Sequence, residues 1–174
     1  MRSIIKSEPS TKQCKGSTFG AVTQETILLQ DDFEASNWNE NWTGEWAQST
    51  QTAHSGSSSA KANRYYDGYF TTADLDTSSA TSITVDFWIK KQYTDTGDDI
   101  LLYYFDGSQY VLITDLDTFG ADGEWLHYVE VITDRNFFSK DFKIRLDAHS
   151  LTGSRWYGYE KVFLDDMTVT VTRN

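Results

Sequence analysis

One cysteine and one proline stand in 174 residues, and each scarcity closes off an explanation. Cys14 has no partner in the chain, so no internal disulfide staples the fold and cysteine usage assigns no redox compartment. A lone proline excludes a Pro-rich linker. Apolar runs are short: nothing approaches the roughly 18 consecutive apolar residues of a membrane helix. The first six residues offer only Ile4-Ile5 as an apolar centre, short of a secretory core, so no export signal is expected in the chain as it stands. Basic residues are few as well. Fifteen Lys and Arg against 26 Asp and Glu leave a net charge of −11, which disfavours nucleic acid because phosphate neutralisation needs clustered cations. Such a balance suits neutral glycans or metal ions.

Aromatic residues, by contrast, are abundant. They make up 15% of the chain, with six Trp and ten Tyr, more rings than one core of this size readily holds. The length suits one globular unit with a substantial core. Residues 1–25 are polar and rich in Ser, Thr and Lys, without periodicity, and bury too little to order themselves. That tail is expected to serve assembly, tying the domain to further copies or to a larger particle, while residues 26–174 form the folded domain.

From Thr26 the pattern has period two. Ile83, Val85, Phe87 and Ile89 alternate with Thr84, Asp86, Trp88 and Lys90, as Phe142, Ile144 and Leu146 do with Lys143, Arg145 and Asp147. Further strands are expected over residues 26–30, 58–63, 68–72, 100–105, 109–114, 125–132 and 161–172, with Asp106-Gly107 as a hairpin turn. No segment has convincing amphipathic helix spacing. The fold class is therefore all-β, a two-sheet antiparallel β-sandwich.

Two acidic signatures frame this region. Asp31-Asp32-Phe33-Glu34 opens it and Phe163-Leu164-Asp165-Asp166-Met167-Thr168-Val169 closes it. First and last strands that both carry carboxylates can lie side by side and clamp a hard, oxygen-seeking cation, which predicts a structural calcium ion. Alternation places Asp165 with Phe163, Met167, Val169 and Val171, and a carboxylate turned to an apolar side needs a counter-charge or a metal. Between the signatures lies His54-Ser55-Gly56-Ser57-Ser58-Ser59-Ala60-Lys61, a turn entering a strand.

Together, and in this order from about Asp31 to Val171, the three segments resemble the jelly-roll framework of family 4/9/22-type carbohydrate-binding modules and of MAM domains, within the galactose-binding and concanavalin-like sandwiches. The resemblance implies Ca²⁺ held by Glu34, by Ser55 and Ser57 through side-chain or main-chain oxygen, and by Asp165, with either Asp32 or Asp31 contributing.

Motifs for catalysis are missing. Glycoside hydrolysis needs two carboxylates roughly 5 to 10 Å apart across the scissile bond. Asp98-Asp99 reads as a solvated loop and the other acidic pairs belong to the clamp. His54, His127 and His149 lack metal-ligand spacing, and neither a Gly-x-Ser-x-Gly elbow nor a phosphate-cradling glycine loop occurs. No enzymatic activity is expected.

The surplus rings point to a glycan. Sugars stack apolar faces on aromatic rings and need planar polar groups for their hydroxyls. Trp88 with Asp86 and Lys90, and Arg145 with Lys143 and Asp147, supply both if their strands share a sheet, with Tyr128 and Glu130 as additions and Tyr104 a further candidate. The resembled carbohydrate-binding modules carry such residues on a concave sheet face. Loop-borne Trp42, Tyr65 and Trp156 are further candidates. Trp38 and Trp46 are expected to cap the core, and Trp125 to pack as structure.

The leading expectation is a non-catalytic carbohydrate-binding or adhesion module, extracellular or on a particle surface, taking a poly- or oligosaccharide without nucleic acid or membrane insertion. A structural virion-surface subunit is the rival, a capsid or tail decoration with a lectin-like jelly roll. A MAM-like protein-interaction domain is a third reading, weakened by the missing cysteines.

Overall fold

The computed structural model describes residues 23–66, 68–94, 99–149, 151 and 159–174. Among these, eleven strands and two short 3₁₀ turns follow one another: β1 Gln24–Asp31, a turn at Trp38–Asn41, β2 Trp42–Gly44, β3 Ala47–Ser49, β4 Ser59–Asn63, β5 Gly68–Thr72, β6 Ser82–Gln92, β7 Asp99–Phe105, β8 Tyr110–Asp115, β9 Trp125–Ile132, a turn at Arg135–Phe137, β10 Lys143–His149 and β11 Lys161–Arg173. The expected assembly tail falls outside the described residues up to position 22. Its expected boundary moves slightly, because residues 24 and 25 already belong to β1.

The strands form two antiparallel sheets, as expected. The first runs β3-β4-β11-β6-β9, with β1 also on β11, and the second runs β2-β5-β10-β7-β8. Since β6 pairs along one side of β11, its other side is shared: β4 takes residues 161–164 and β1 takes 167–173. The end of β1 and the start of β4 therefore meet at the middle of β11. There the ladder with β6 slips between Asp165 and Thr168, and Asp166 adopts φ 48°, a β-bulge with one extra residue.

Alternation fills the space between the sheets. Ile83, Val85, Phe87 and Ile89 of β6 face Ile100, Leu102 and Tyr104 of β7 and Ile144, Leu146 and Ala148 of β10 in one buried cluster. The Asp106-Gly107 hairpin joins β7 to β8 as expected, with Asp106 Oδ1 accepting the N–H groups of Ser108 and Gln109 and Gly107 at φ 95°. β2 and β3, three residues each, carry no periodic pattern and appear where a loop was expected.

Each sheet thus has one outer face. On the first it holds Trp88 and Lys90 of β6 with Trp125, His127 and Val129 of β9. On the second it holds Tyr69 and Thr71 of β5, Lys143, Arg145 and Asp147 of β10, and Tyr103 and Phe105 of β7. Trp88 and Arg145, expected on one face, lie in different sheets, which alternation within a strand cannot reveal.

Candidate functional site

The acidic signatures meet at the β11 bulge, on the segment between residues 52 and 58. Glu34, just past β1, accepts Ser57 N–H at 2.7 Å, Ser58 N–H at 2.6 Å and Ser57 O–H at 2.8 Å. Those bonds, the Ser57 N–H foremost, hold its carboxyl below the usual range. From the other side Asp165 Oδ2 accepts His54 N–H at 2.7 Å and Ser55 N–H at 3.2 Å, while Asp166 accepts Ser55 O–H at 2.7 Å and stands 2.6 Å from His54 Nδ1. The segment is clipped to both strands.

Glu34, Ser55, Ser57 and Asp165 are brought together as expected. Asp32 is not: it is exposed, and its Oδ1 accepts Glu34 N–H at 3.2 Å, closing a local turn. Asp31 turns inward instead, accepting Trp42 Nε1–H at 2.8 Å and Phe33 N–H at 2.9 Å. Asp165 differs from its expected setting too. The bulge separates it from Met167, Val169 and Val171, which face the core, so Asp165 is buried beneath the 52–58 segment on the outer side. Burial, augmented by the charge of Asp166, pushes its carboxyl up to about 6 despite the N–H donors.

Three residues at this junction have positive φ: Phe33 at 56°, Gly56 at 59° and Asp166 at 48°. For a bulky Phe that conformation is strained, and such strain gathers at ligand clamps. A Cβ on Gly56 would stand 2.5 Å from Glu34 Oε1, so only glycine lets the carboxylate approach. Among the described residues no three His, Cys, Asp or Glu side chains converge as a metal-binding group. The donors at hand are mostly oxygens: the carboxylates of Glu34, Asp165 and Asp166 and the hydroxyls of Ser55 and Ser57, with the His54 imidazole beside Asp166. An oxygen-rich set of this kind suits calcium better than zinc.

The expected glycan residues divide between the sheets. Trp88 stacks on His54 at 3.8 Å and on His127 at 4.5 Å, with interplanar angles of 10° and 6°. Both faces of the indole are therefore taken, and Trp88 cannot be the sugar platform it was expected to be. Asp86 stands 2.7 Å from His127 Nε2 and is engaged in the same cluster. Trp125, expected to pack as structure, lies on this outer face with its ring edge-on to His54 at 5.9 Å.

Tyr128 points inward. It lies opposite Phe87, stacks on it at 4.7 Å, and its hydroxyl donates to Glu130 Oε2 at 2.7 Å. Tyr104 is fully buried and donates to the same oxygen at 2.8 Å. Trp42, 4% exposed and stacked on Phe70 at 4.3 Å, is core and not a loop-borne platform, because its indole N–H finds Asp31. Trp46 is core as expected, stacked on Phe70 and donating to Gly68 O, and Trp38 packs against the core. Tyr65 is exposed but lies in the β4–β5 turn, its ring beneath the Arg64 guanidinium at 4.4 Å. Trp156 falls outside the described residues.

Arg145 and Asp147 stand on the open outer face of the second sheet. A groove of about 320 Å³ is lined there by Thr43, Tyr69, Thr71, Tyr110, Lys143 and Arg145, among others. The guanidinium carbon of Arg145 lies 3.5 Å from the centre of the Tyr110 ring and 4.7 Å from that of Tyr69, and Nε donates to Thr71 Oγ1 at 3.2 Å. Tyr69 keeps 43% of its surface exposed. Asp147 is pushed above the usual carboxylate range by burial; His149 Nε2 stands 2.8 Å from its Oδ1 but outside hydrogen-bond geometry, leaving that buried oxygen without a donor among the described residues. Tyr69 and Tyr110 escaped the sequence reading. Each could have been found by alternation, since Tyr69 leaves Phe70 on the opposite face and Tyr110 opens a strand.

No protein-family model matches the chain, and no curated protein matches its sequence. Solved structures match its fold. The CBM22-1 xylan-binding domain from Paenibacillus barcinonensis aligns with a TM-score of 0.59 at 13% identity, over 88% of this chain and 99% of that one. The C-terminal family 22 carbohydrate-binding module from Clostridium thermocellum gives 0.56 at 16% identity, covering 83% and 94%. A family 16 carbohydrate-binding module gives 0.56 at 14% identity, covering 83% and 99%. The fold is the jelly-roll β-sandwich of carbohydrate-binding modules.

Proposed function

We propose that the chain is a non-catalytic carbohydrate-binding module that takes its glycan on the outer face of the second sheet. One observation carries this reading: an open groove combines an exposed tyrosine ring with a guanidinium fixed between two rings. Tyr69 offers a flat apolar surface and Arg145 a planar donor fork, the two kinds of group that sugar rings and their hydroxyls require.

Hydrolysis has no support in the lining. Its one carboxylate, Asp74, is bound to Lys143 at 2.9 Å, whereas glycosidases need two, one of them held protonated. No helix of the described residues is long and apolar enough to cross a membrane. A glycan-binding role places the domain where polysaccharide is met, outside the cell or on a particle surface.

Two of the structural neighbours described above are a xylan-binding domain and a family 22 module, which makes xylan the first ligand to test. Affinity electrophoresis through gels containing xylan and a panel of other plant and microbial polysaccharides tests the reading. Retardation by at least one polysaccharide, lost in Tyr69→Ala, is expected. Free migration in every gel would overturn it.

The β11 junction is the proposed calcium site, with Glu34 and Asp165 as carboxylate ligands and Ser55 and Ser57 as hydroxyl or carbonyl donors. Bound there, the ion would supply positive charge to the buried Asp165 and the exposed Glu34 and tie β1, β4 and β11 together. Its expected contribution is about 2 to 4 kcal/mol at saturating metal. Calorimetry with calcium and with EDTA should differ by several degrees in Tm; identical curves would mean that the N–H donors alone hold the clamp.

A further inference from the structure

Granted that the groove of the second sheet holds a glycan, its charge says which class. The chain carries 15 Lys and Arg against 26 Asp and Glu, and on that balance a neutral sugar is the first expectation. The groove departs from the average. Its charged side chains are Lys143, Arg145 and Asp74, two cations to one carboxylate. Asp74 is committed to Lys143 at 2.9 Å, and that hydrogen bond raises the Lys143 ammonium above its ordinary value.

Arg145 has no carboxylate within ion-pair distance among the described residues. Two tyrosine rings and the Thr71 hydroxyl fix the plane and direction of its guanidinium, so little side-chain entropy remains to be lost on binding. The terminal N–H groups find no acceptor among the described residues, since the bond to Thr71 uses Nε alone. A preoriented guanidinium with its outer edge free matches a carboxylate, which it can engage through two parallel hydrogen bonds. Asp147 opposes this, two residues on along β10, but it stands outside ion-pair distance of Arg145 and does not line the groove.

We propose that the groove selects polysaccharides bearing carboxylates, those with uronic acid units in the backbone or as side groups, and that Arg145 is the residue that determines this selectivity. Lys143, neutralised by Asp74, contributes shape and N–H donors for sugar hydroxyls more than charge.

Isothermal titration of the full chain with three oligosaccharides of similar length tests this: xylohexaose, a xylo-oligosaccharide bearing one glucuronic acid, and an oligogalacturonate. At least one acidic ligand should bind about 10-fold more tightly than xylohexaose at low salt, with the advantage shrinking in about 0.5 M NaCl. Arg145→Gln should abolish the preference, and Arg145→Lys should restore part of it. Circular dichroism of each variant establishes that it is folded, and should Arg145→Gln unfold, the Lys variant and the salt series decide. Equal affinity for neutral and acidic ligands overturns the charge selectivity while leaving glycan binding intact. A preference that survives in folded Arg145→Gln overturns the role of Arg145. If the folded wild type binds none of the three, the selectivity for carboxylate-bearing polysaccharides is overturned, and the gel panel alone decides whether the groove binds another glycan.

Discussion

The two outer faces of the sandwich start from the same kind of sequence and end differently. Each is a strand alternation that puts an aromatic or planar residue among charges, Trp88 between Asp86 and Lys90 on one sheet and Arg145 between Lys143 and Asp147 on the other. On the first sheet the 52–58 segment folds across, and its His54 covers one side of Trp88 while His127 covers the other. On the second, nothing among the described residues seals the groove, and Tyr69 stays 43% exposed. A ring saturated by its own protein has no surface left to offer. Composition makes both faces candidates, and occupancy separates them.

The sharpest way to break that distinction is to remove a ring from the core beneath the faces. Trp42→Ala deletes an indole stacked on Phe70 and bonded to Asp31, and should cost about 3 to 5 kcal/mol in chemical denaturation. Glycan affinity per folded molecule should stay unchanged. Lost affinity with stability kept would return Trp42 to the binding face.

The clamp under the covered face offers a second test, made in chelator. Asp165 has a folded-state value of about 6, above its ordinary 3.8, so between these limits the folded protein binds more protons than the unfolded chain. Its contribution to stability is therefore largest below about pH 4 and is lost as pH rises through 6. The expected loss is up to about 3 kcal/mol, and Asp165→Asn should flatten that part of the stability curve. A wild-type curve without the decline, or one that the variant leaves unaltered, would contradict the burial of this carboxylate.

Much of this was legible in the sequence. The period-two runs marked most of the strands, and the paired acidic signatures foretold which ends would meet, because β1 and β4 share one side of β11. Two things were not. The extra residue at Asp165-Asp166 moves Asp165 off the core side, and a bulge leaves no trace in alternation except as an exception to it. The covering of Trp88 follows from a segment anchored to a carboxylate 111 residues away, a tertiary contact that no local pattern encodes. β2 and β3 are too short for periodicity, so the tryptophans around them looked like loop residues.

Paired substitutions with smaller effects sharpen the comparison of the faces. Trp88→Ala removes two stacked ring pairs and should cost about 1 to 3 kcal/mol of stability, leaving glycan affinity as it was. Tyr69→Ala should do the reverse, weakening binding about 10-fold, by analogy with base–aromatic stacking, with stability within about 0.5 kcal/mol. If the two variants exchange phenotypes, the faces have been assigned the wrong way round.

The most direct measurement is a two-dimensional NMR titration of the labelled protein with the tightest oligosaccharide found. Backbone and side-chain shifts should concentrate at Tyr69, Thr71, Tyr110 and Arg145, with the indole N–H of Trp88 and the rings of His54 and His127 unmoved. Shifts centred on Trp88, His54 and His127, with the second sheet silent, would contradict the assignment of the glycan to the open groove.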